Sequence, residues 1–282
     1  MNILTFDIEE WFLSRNDEKV PIDKWGNFEQ RVEKNTWRIL ELLDHHQQKA
    51  TFFILGWIAE KYPALVLEID KAGHEVGYHS YYHFHIEKLL KNGTFMEDLN
   101  RGLGIIESIT GKKITSYRAP YFSFCSNPKQ VVEALLNAGI KNDSSIIARS
   151  GKQAWFQHAE PFVFTLGEQK LFEFPLNRNR LFQVFPVSLG SGYFRILPIR
   201  LIDQMMKKST YNMVYFHPRD FDANAPFSSR LSLGRNLLNR IGTKQTADKL
   251  DVILSNYKFH TVCEAQDILS KTPSEVPIFK MK

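Results

Sequence analysis

Short apolar runs alternate with longer stretches of helical period along nearly the whole chain, and that order leaves few folds open. Residues 2–6, 50–55, 75–78, 114–117, 140–142, 162–165, 171–176, 212–216 and 258–262 read as strands. Helices are expected over 31–46, 95–110, 128–138, 201–208 and 246–256, and over 56–72, where Gly73 supplies a C-terminal glycine stop. Strands separated by helices imply a parallel sheet with helices outside it. About seven such units favour an α/β fold of the distorted (β/α) barrel type. The expected organisation is a single domain over 1–282, with 223–282 a C-terminal helical and strand extension of it.

Composition closes off several function classes. The net charge of +5 arises from 36 basic and 31 acidic residues without a Lys/Arg run, so no nucleic-acid partner is expected. Cys125 and Cys263 are too few and too far apart for a disulfide framework or a zinc finger, and both read as small buried residues. The N-terminus lacks a basic segment, a long apolar segment and a cleavage site, and the longest apolar run, 50–59, is too short to span a bilayer. The expectation is a cytoplasmic protein without an integral membrane segment. No GxSxG elbow, P-loop or dinucleotide-binding glycine pattern is present.

In a barrel of this type the chemistry sits just past the C-terminal ends of strands, and four polar clusters fall there. In TFDIEE, strand alternation puts Asp7 and Glu9 on one face, where a metal and a protonatable water would satisfy both carboxylates. Acidic residues after a strand also cap helices, so that cluster has an ordinary reading too. His79 and His83 follow the strand at 75–78. As i and i+4 neighbours on one helical face they can chelate a cation, although a merely His-rich surface loop fits as well. Arg118, in YRAPYF, can clamp a carboxylate, and Pro120 stiffens the turn that presents the next backbone N–H. His217, at the end of an apolar strand and followed by Pro218, suits a general acid or a hydrogen-bonded rim histidine. Each cluster alone is ambiguous; their joint order at strand ends points to metal-assisted hydrolysis.

The order TFD-IE, HSYYH, RAPYF, a DSS segment at 143–145 and a strand ending in HP resembles the polysaccharide deacetylase family, carbohydrate esterase family 4. The block at 49–80 and the GSGYFRILP segment at 190–198 are similar to that family as well, the latter to its exopolysaccharide and capsule-synthesis subgroup. The resemblance implies that Asp7 is the general base, oriented by Arg118, and that His79 and His83 bind the metal. It also implies that the Tyr121 backbone N–H helps bind the oxyanion, that His217 is the general acid, and that Asp143 and Glu173 lie near the site. Commoner members carry two adjacent Asp residues; here Ile8 follows Asp7, so the carboxylate ligand falls to Glu9 or Glu10, and strand alternation favours Glu9.

The implied reaction removes N-acetyl groups from an amino-sugar glycan or its precursor. One divalent transition metal is required, zinc by default, with Fe, Co or Ni compatible with the same ligands. Without a signal peptide, an intracellular lipid-linked or nucleotide-linked precursor is the expected acceptor. Two other readings stay open: an amide or imide hydrolase for a small cyclic substrate, and a degenerate carbohydrate-binding barrel. Phenylalanines near Phe182 and Phe185 could form an interface or a substrate wall.

Overall fold

The computed structural model describes residues 1–13, 20–124, 127–148, 157–181, 185–227, 232–272 and 276–281. Cys125, Phe182 and the Phe185 side chain lie outside the described residues. The strands are β1 (Asn2–Ile8), β2 (Thr51–Ile54), β3 (Glu75–Tyr78), β4 (Ser116–Tyr117), β5 (Asn142–Asp143), β6 (Phe162–Leu166), β7 (Gln169–Glu173), β8 (Asn179–Leu181), β9 (Phe185–Val187), β10 (Asn212–Phe216) and β11 (Ile278–Lys280). The helices are α1 (Val32–His45), α2 (Gly56–Lys61), α3 (Pro63–Lys71), α4 (Ile86–Lys91), α5 (Phe95–Thr110), α6 (Pro128–Asn137), α7 (Ser191–Ile196), α8 (Ile199–Lys208), α9 (Leu233–Arg240), α10 (Thr243–Asn256) and α11 (Val262–Ser270).

The main sheet runs β10-β1-β2-β3-β4-β5-β7-β6-β11. The strands from β10 through β7 in that order are all parallel, while β6 lies antiparallel to β7 and carries β11 on its far edge. Among the described residues no strand of the main sheet beyond β7 pairs with the free edge of β10; a single bridge between Gly190 and Tyr215, with the Tyr215 N–H donating to the Leu189 carbonyl at 3.2 Å, and two side chains make the junction. The Asn177 amide accepts from the Met213 N–H at 3.0 Å and donates to the Tyr211 carbonyl at 2.8 Å. The Tyr211 hydroxyl returns a bond to the Pro175 carbonyl at 2.9 Å. A buried amide has the donor and acceptor of a peptide group, so Asn177 stands in for a strand and the sheet curls into a distorted barrel.

Alternation along β1 divides the two cores. Leu4, Phe6 and Ile8 join the large outer cluster with the helices, whereas Ile3 joins Phe53, Phe174 and Met213 inside. Leu250, Ile253, Leu254 and Phe259 belong to the same outer cluster, so the C-terminal extension packs on the barrel's own core. At the end of the barrel where β2 and β3 begin, the first turn of α11 donates from the Val262 N–H to Thr51 Oγ1 and from the Cys263 N–H to Glu75 Oε2. Among the described residues no helix is long and apolar enough to cross a membrane.

Two expected elements differ. The helix over 56–72 is two helices, because Pro63 lacks an amide hydrogen and starts a new first turn as α3. The strand over 258–262 reduces to one bridge between His260 and Ile3. Thr261 and Glu264 form a capping box there, and that local hydrogen bonding turns the chain into α11.

Candidate active site

Arg118 organises the interior and is fully buried. Its Nη1 donates to Asp7 Oδ1 at 2.7 Å and to Thr5 Oγ1 at 2.8 Å, its Nη2 to Ser144 Oγ at 2.9 Å, and its Nε to the Ser144 carbonyl at 3.2 Å. The guanidinium also lies 4.3 Å from the centre of the Phe53 ring. Gly77 makes that placement possible, since a Cβ there would sit 2.7 Å from the Phe53 ring. A buried guanidinium needs its donors used, and the alternating inward residues of β1 and the stretch past β5 use them.

Past the strand ends, the ligand atoms of Glu9, His79 and His83 lie within 4.8 Å of one another, all three residues buried. His83 Nε2 is 2.5 Å from Glu9 Oε2, and His79 Nε2 is 3.9 Å from the same oxygen. His79 Nδ1 is 2.7 Å from the Arg118 carbonyl. A carbonyl only accepts, so Nδ1 carries the proton and the Nε2 lone pair points at the cluster. Burial pushes His79 down to about 4, with His83 adding to the effect and Asp7 and Glu9 opposing it, so the ring is neutral near pH 7. Burial opposes ionisation of Glu9, but His83, Arg219 and His217 outweigh it and hold the carboxyl well below its ordinary range.

Glu10 has a different task. Its carboxylate accepts from the Arg31 N–H at 2.9 Å and the Val32 N–H at 3.1 Å, capping the start of α1, and burial pushes it up to about 7. Of the two candidate carboxylates, the structure brings Glu9 to the histidines.

The histidine pair converges by a route other than the expected helical face. Residues 79–84 form a loop in which Ser80 and His83 adopt left-handed backbone conformations, with φ of 64° and 59°. Buried Asp98 of α5 holds that loop, accepting from Ser80 Oγ at 3.0 Å, the Tyr81 N–H at 2.9 Å and the Tyr78 hydroxyl at 2.8 Å. Strain at two non-glycine positions persists because these bonds over-determine it. Tyr121 is likewise left-handed, with φ of 59°, and its ring packs 4.6 Å from His83 and stacks on His85 at 4.5 Å.

His217 faces the cluster from β10's end, its Nε2 3.5 Å from Glu9 Oε1 and 4.0 Å from Asp7 Oδ2. Its Nδ1 lies 3.1 Å from Asp220 Oδ2, which also accepts the His217 backbone N–H at 2.9 Å. Burial would raise the Asp220 carboxyl, but His217, Arg195 and Arg219 outweigh it and hold it at about 2. Arg219 Nη1 pairs with Glu9 Oε1. Asp220, Arg219 and Asp98 were missed in the sequence. The His-Pro-x-Asp spacing, which resembles a capping box, was the available signal for Asp220.

Asp143 does not join this cluster. Asn142 and Ser144 flank it and face inward, toward Ser116 and Arg118, so alternation turns Asp143 to the outer face of β5. There it pairs with Glu173, its register partner on β7, and accepts from Ser145 Oγ at 2.5 Å. Burial raises both carboxyls, Asp143 to about 6 and Glu173, further lifted by Asp143, well above its ordinary value. A carboxyl with a raised folded-state pKa contributes stability below its unfolded pKa, and that contribution disappears as pH rises through the folded pKa. Asp143→Asn removes this titration. Its stability relative to wild type, from urea unfolding, is therefore expected to increase by about 1–3 kcal/mol between pH 4 and 7. A pH-independent difference would show that the pair does not share a proton.

Comparison with known proteins agrees with this architecture. Residues 16–142 match the profile of the family described as polysaccharide deacetylase, and residues 144–267 that of a domain of unknown function, DUF3473. A peptidoglycan-N-acetylglucosamine deacetylase of Bacillus cereus is 34% identical over 122 residues, 43% of this chain and 40% of that protein. A peptidoglycan deacetylase of Helicobacter pylori is 33% identical over 111 residues, 39% of this chain and 36% of that protein. The matched segment thus spans well under half of either relative. In fold, a candidate polysaccharide deacetylase from Mycobacterium smegmatis superposes with a TM-score of 0.63 at 17% identity, covering 100% of this chain and 93% of the other. A CE4 family pseudoenzyme from Bacillus anthracis superposes at 0.53 and 18% identity, covering 94% of this chain and 64% of the other. Residues 16–142 are thus similar to the polysaccharide deacetylase family, a match that spans somewhat under half of the chain.

Proposed function

We propose that the protein is a metal-dependent N-deacetylase that removes acetyl groups from the amino sugars of a poly- or oligosaccharide, or of its precursor. The observation that carries this reading is the convergence of Glu9, His79 and His83 beside Asp7 and His217. The donor set fits a divalent transition metal. A buried carboxylate oxygen of Glu9 faces two imidazole nitrogens, and the Arg118 carbonyl already holds one of those rings in the ligating tautomer. Glu9, His79 and His83 would hold the ion, with zinc the default and Fe, Co or Ni suited to the same ligands. When bound, it would supply Lewis acidity to the acetamide carbonyl and the attacking water.

The chain's own residues carry the proton transfers. Asp7, fixed by Arg118, accepts a proton from water as the water oxygen bonds to the carbonyl carbon. The Tyr121 N–H, presented by the turn after Pro120, donates to the oxyanion. The C–N bond then breaks, His217 protonates the leaving nitrogen, and acetate and a free amine result. Asp220 orients the His217 ring by accepting from Nδ1, which turns Nε2 toward the cluster. The names of the Bacillus cereus and Helicobacter pylori relatives support an acetylated amino sugar as substrate, and the 190–198 segment supports an exopolysaccharide. A cavity of about 120 Å³ beside His83 and Tyr121, walled by Trp25, Tyr82 and Phe84, suits a sugar ring.

The test is metal content per chain after reconstitution, with acetate release from N-acetylglucosamine oligomers measured alongside. Wild type is expected to hold one transition metal and to release acetate, and His79→Ala/His83→Ala to do neither. A wild-type chain that binds no metal specifically would sink the reaction as written.

A further inference from the structure

Helix α9 is turned inside out for a protein in water. It buries Asn236, which is 7% exposed, and presents Leu233 (71% exposed), Leu237, Leu238 and the following Ile241 to solvent. Amphipathic helices on a packed core do the reverse. The exposed apolar surface continues beyond the helix. Arg195 Nη1 of α7 donates to the Asn239 carbonyl at 2.5 Å and Gly242 backs onto the Arg195 carbonyl, which sets the exposed Tyr193 and Ile196 beside α9. The Arg240 guanidinium lies 3.8 Å over the exposed Phe227 ring and adds that residue to the edge.

The charge of the same two segments is one-sided. Residues 174–202 contain no Asp or Glu and four arginines, and residues 223–247 contain no Asp or Glu and three arginines and a lysine. Arg178, Arg200 and Lys244 are exposed. Exposed apolar side chains in segments whose charged residues are all cations match the chemistry of an anionic lipid surface, with the apolar groups at the acyl boundary and the cations at the headgroups. A second copy of the chain would bring the same cations against themselves.

We infer that the face formed by α7, α9 and Phe227 docks on an anionic lipid surface. The inference rests on this surface alone and is independent of the catalytic reading. Arg195 lies between the face and the site, pairing with Asp220 at 3.2 Å on one side and with the Asn239 carbonyl of α9 on the other.

The test is co-sedimentation with phosphatidylcholine vesicles, with and without phosphatidylglycerol. Binding is expected to favour the anionic vesicles about tenfold and to weaken with salt. Leu237→Glu/Leu238→Glu is expected to lower partitioning by about tenfold or more, while thermal melting stays near wild type because both side chains are exposed. Arg200→Glu/Lys244→Glu, which leaves the apolar face intact, is expected to lose the anionic preference and reads the same proposal should the leucine variant fold poorly. No vesicle binding, or equal binding by both variants, overturns the proposal. So does a dimer in analytical ultracentrifugation that the leucine variant dissociates, since a second copy would then cover the face.

Discussion

Replacing Arg118 with methionine is expected to destabilise the protein by about 3–5 kcal/mol and to abolish acetate release. The guanidinium is fully buried and spends its donors on Asp7, Thr5 and Ser144, so methionine strands a buried carboxylate and leaves three acceptors unpaired. Removing one partner of a buried ion pair exposes the whole desolvation cost of the other. Urea unfolding of Arg118→Met and of Arg118→Met/Asp7→Leu separates the causes. The double variant, which removes the stranded charge, should recover most of the lost stability but none of the activity. If Arg118→Met costs less than about 1 kcal/mol, the pair is not what holds the interior together.

His217→Ala is expected to reduce kcat by about 10²–10⁴ while leaving the metal content per chain unchanged. Asp220→Asn should reduce it less, because that residue acts on the reaction through the His217 ring it holds at Nδ1 and not on the substrate. The distances supply the alternative outcome. His217 Nε2 is 3.5 Å from Glu9 Oε1, so an alanine variant that also loses its metal would make His217 part of the ligand set and not the proton donor. Acetate release and metal content, measured on the same samples, distinguish the two.

Which residues alternate along the barrel strands is legible in the local spacing. Period-two alternation is local, so the shared face of Asp7 and Glu9 and the placement of Arg118 and His217 past strand ends could be read from spacing. The seven parallel strands followed from the same reasoning, since apolar runs separated by helices leave one common arrangement.

Tertiary structure decided everything that depends on partners distant in the chain. Glu10 caps α1 because the Arg31 and Val32 amides, some twenty positions away, arrive beside it, and only then does the ligand role fall to Glu9. His79 and His83 meet because Asp98 of α5 pins their loop in a conformation that no i, i+4 rule describes. Asp143 resembled a site residue in sequence but faces away from the cluster, because its neighbours Asn142 and Ser144 take the inward positions beside Ser116 and Arg118. Asn177 closes the barrel through a side-chain amide, a contact with no periodicity to betray it. Local pattern sets which way a strand residue faces, whereas the conformation of a loop residue is set by whichever buried group satisfies its hydrogen bonds, and that group is chosen by the fold.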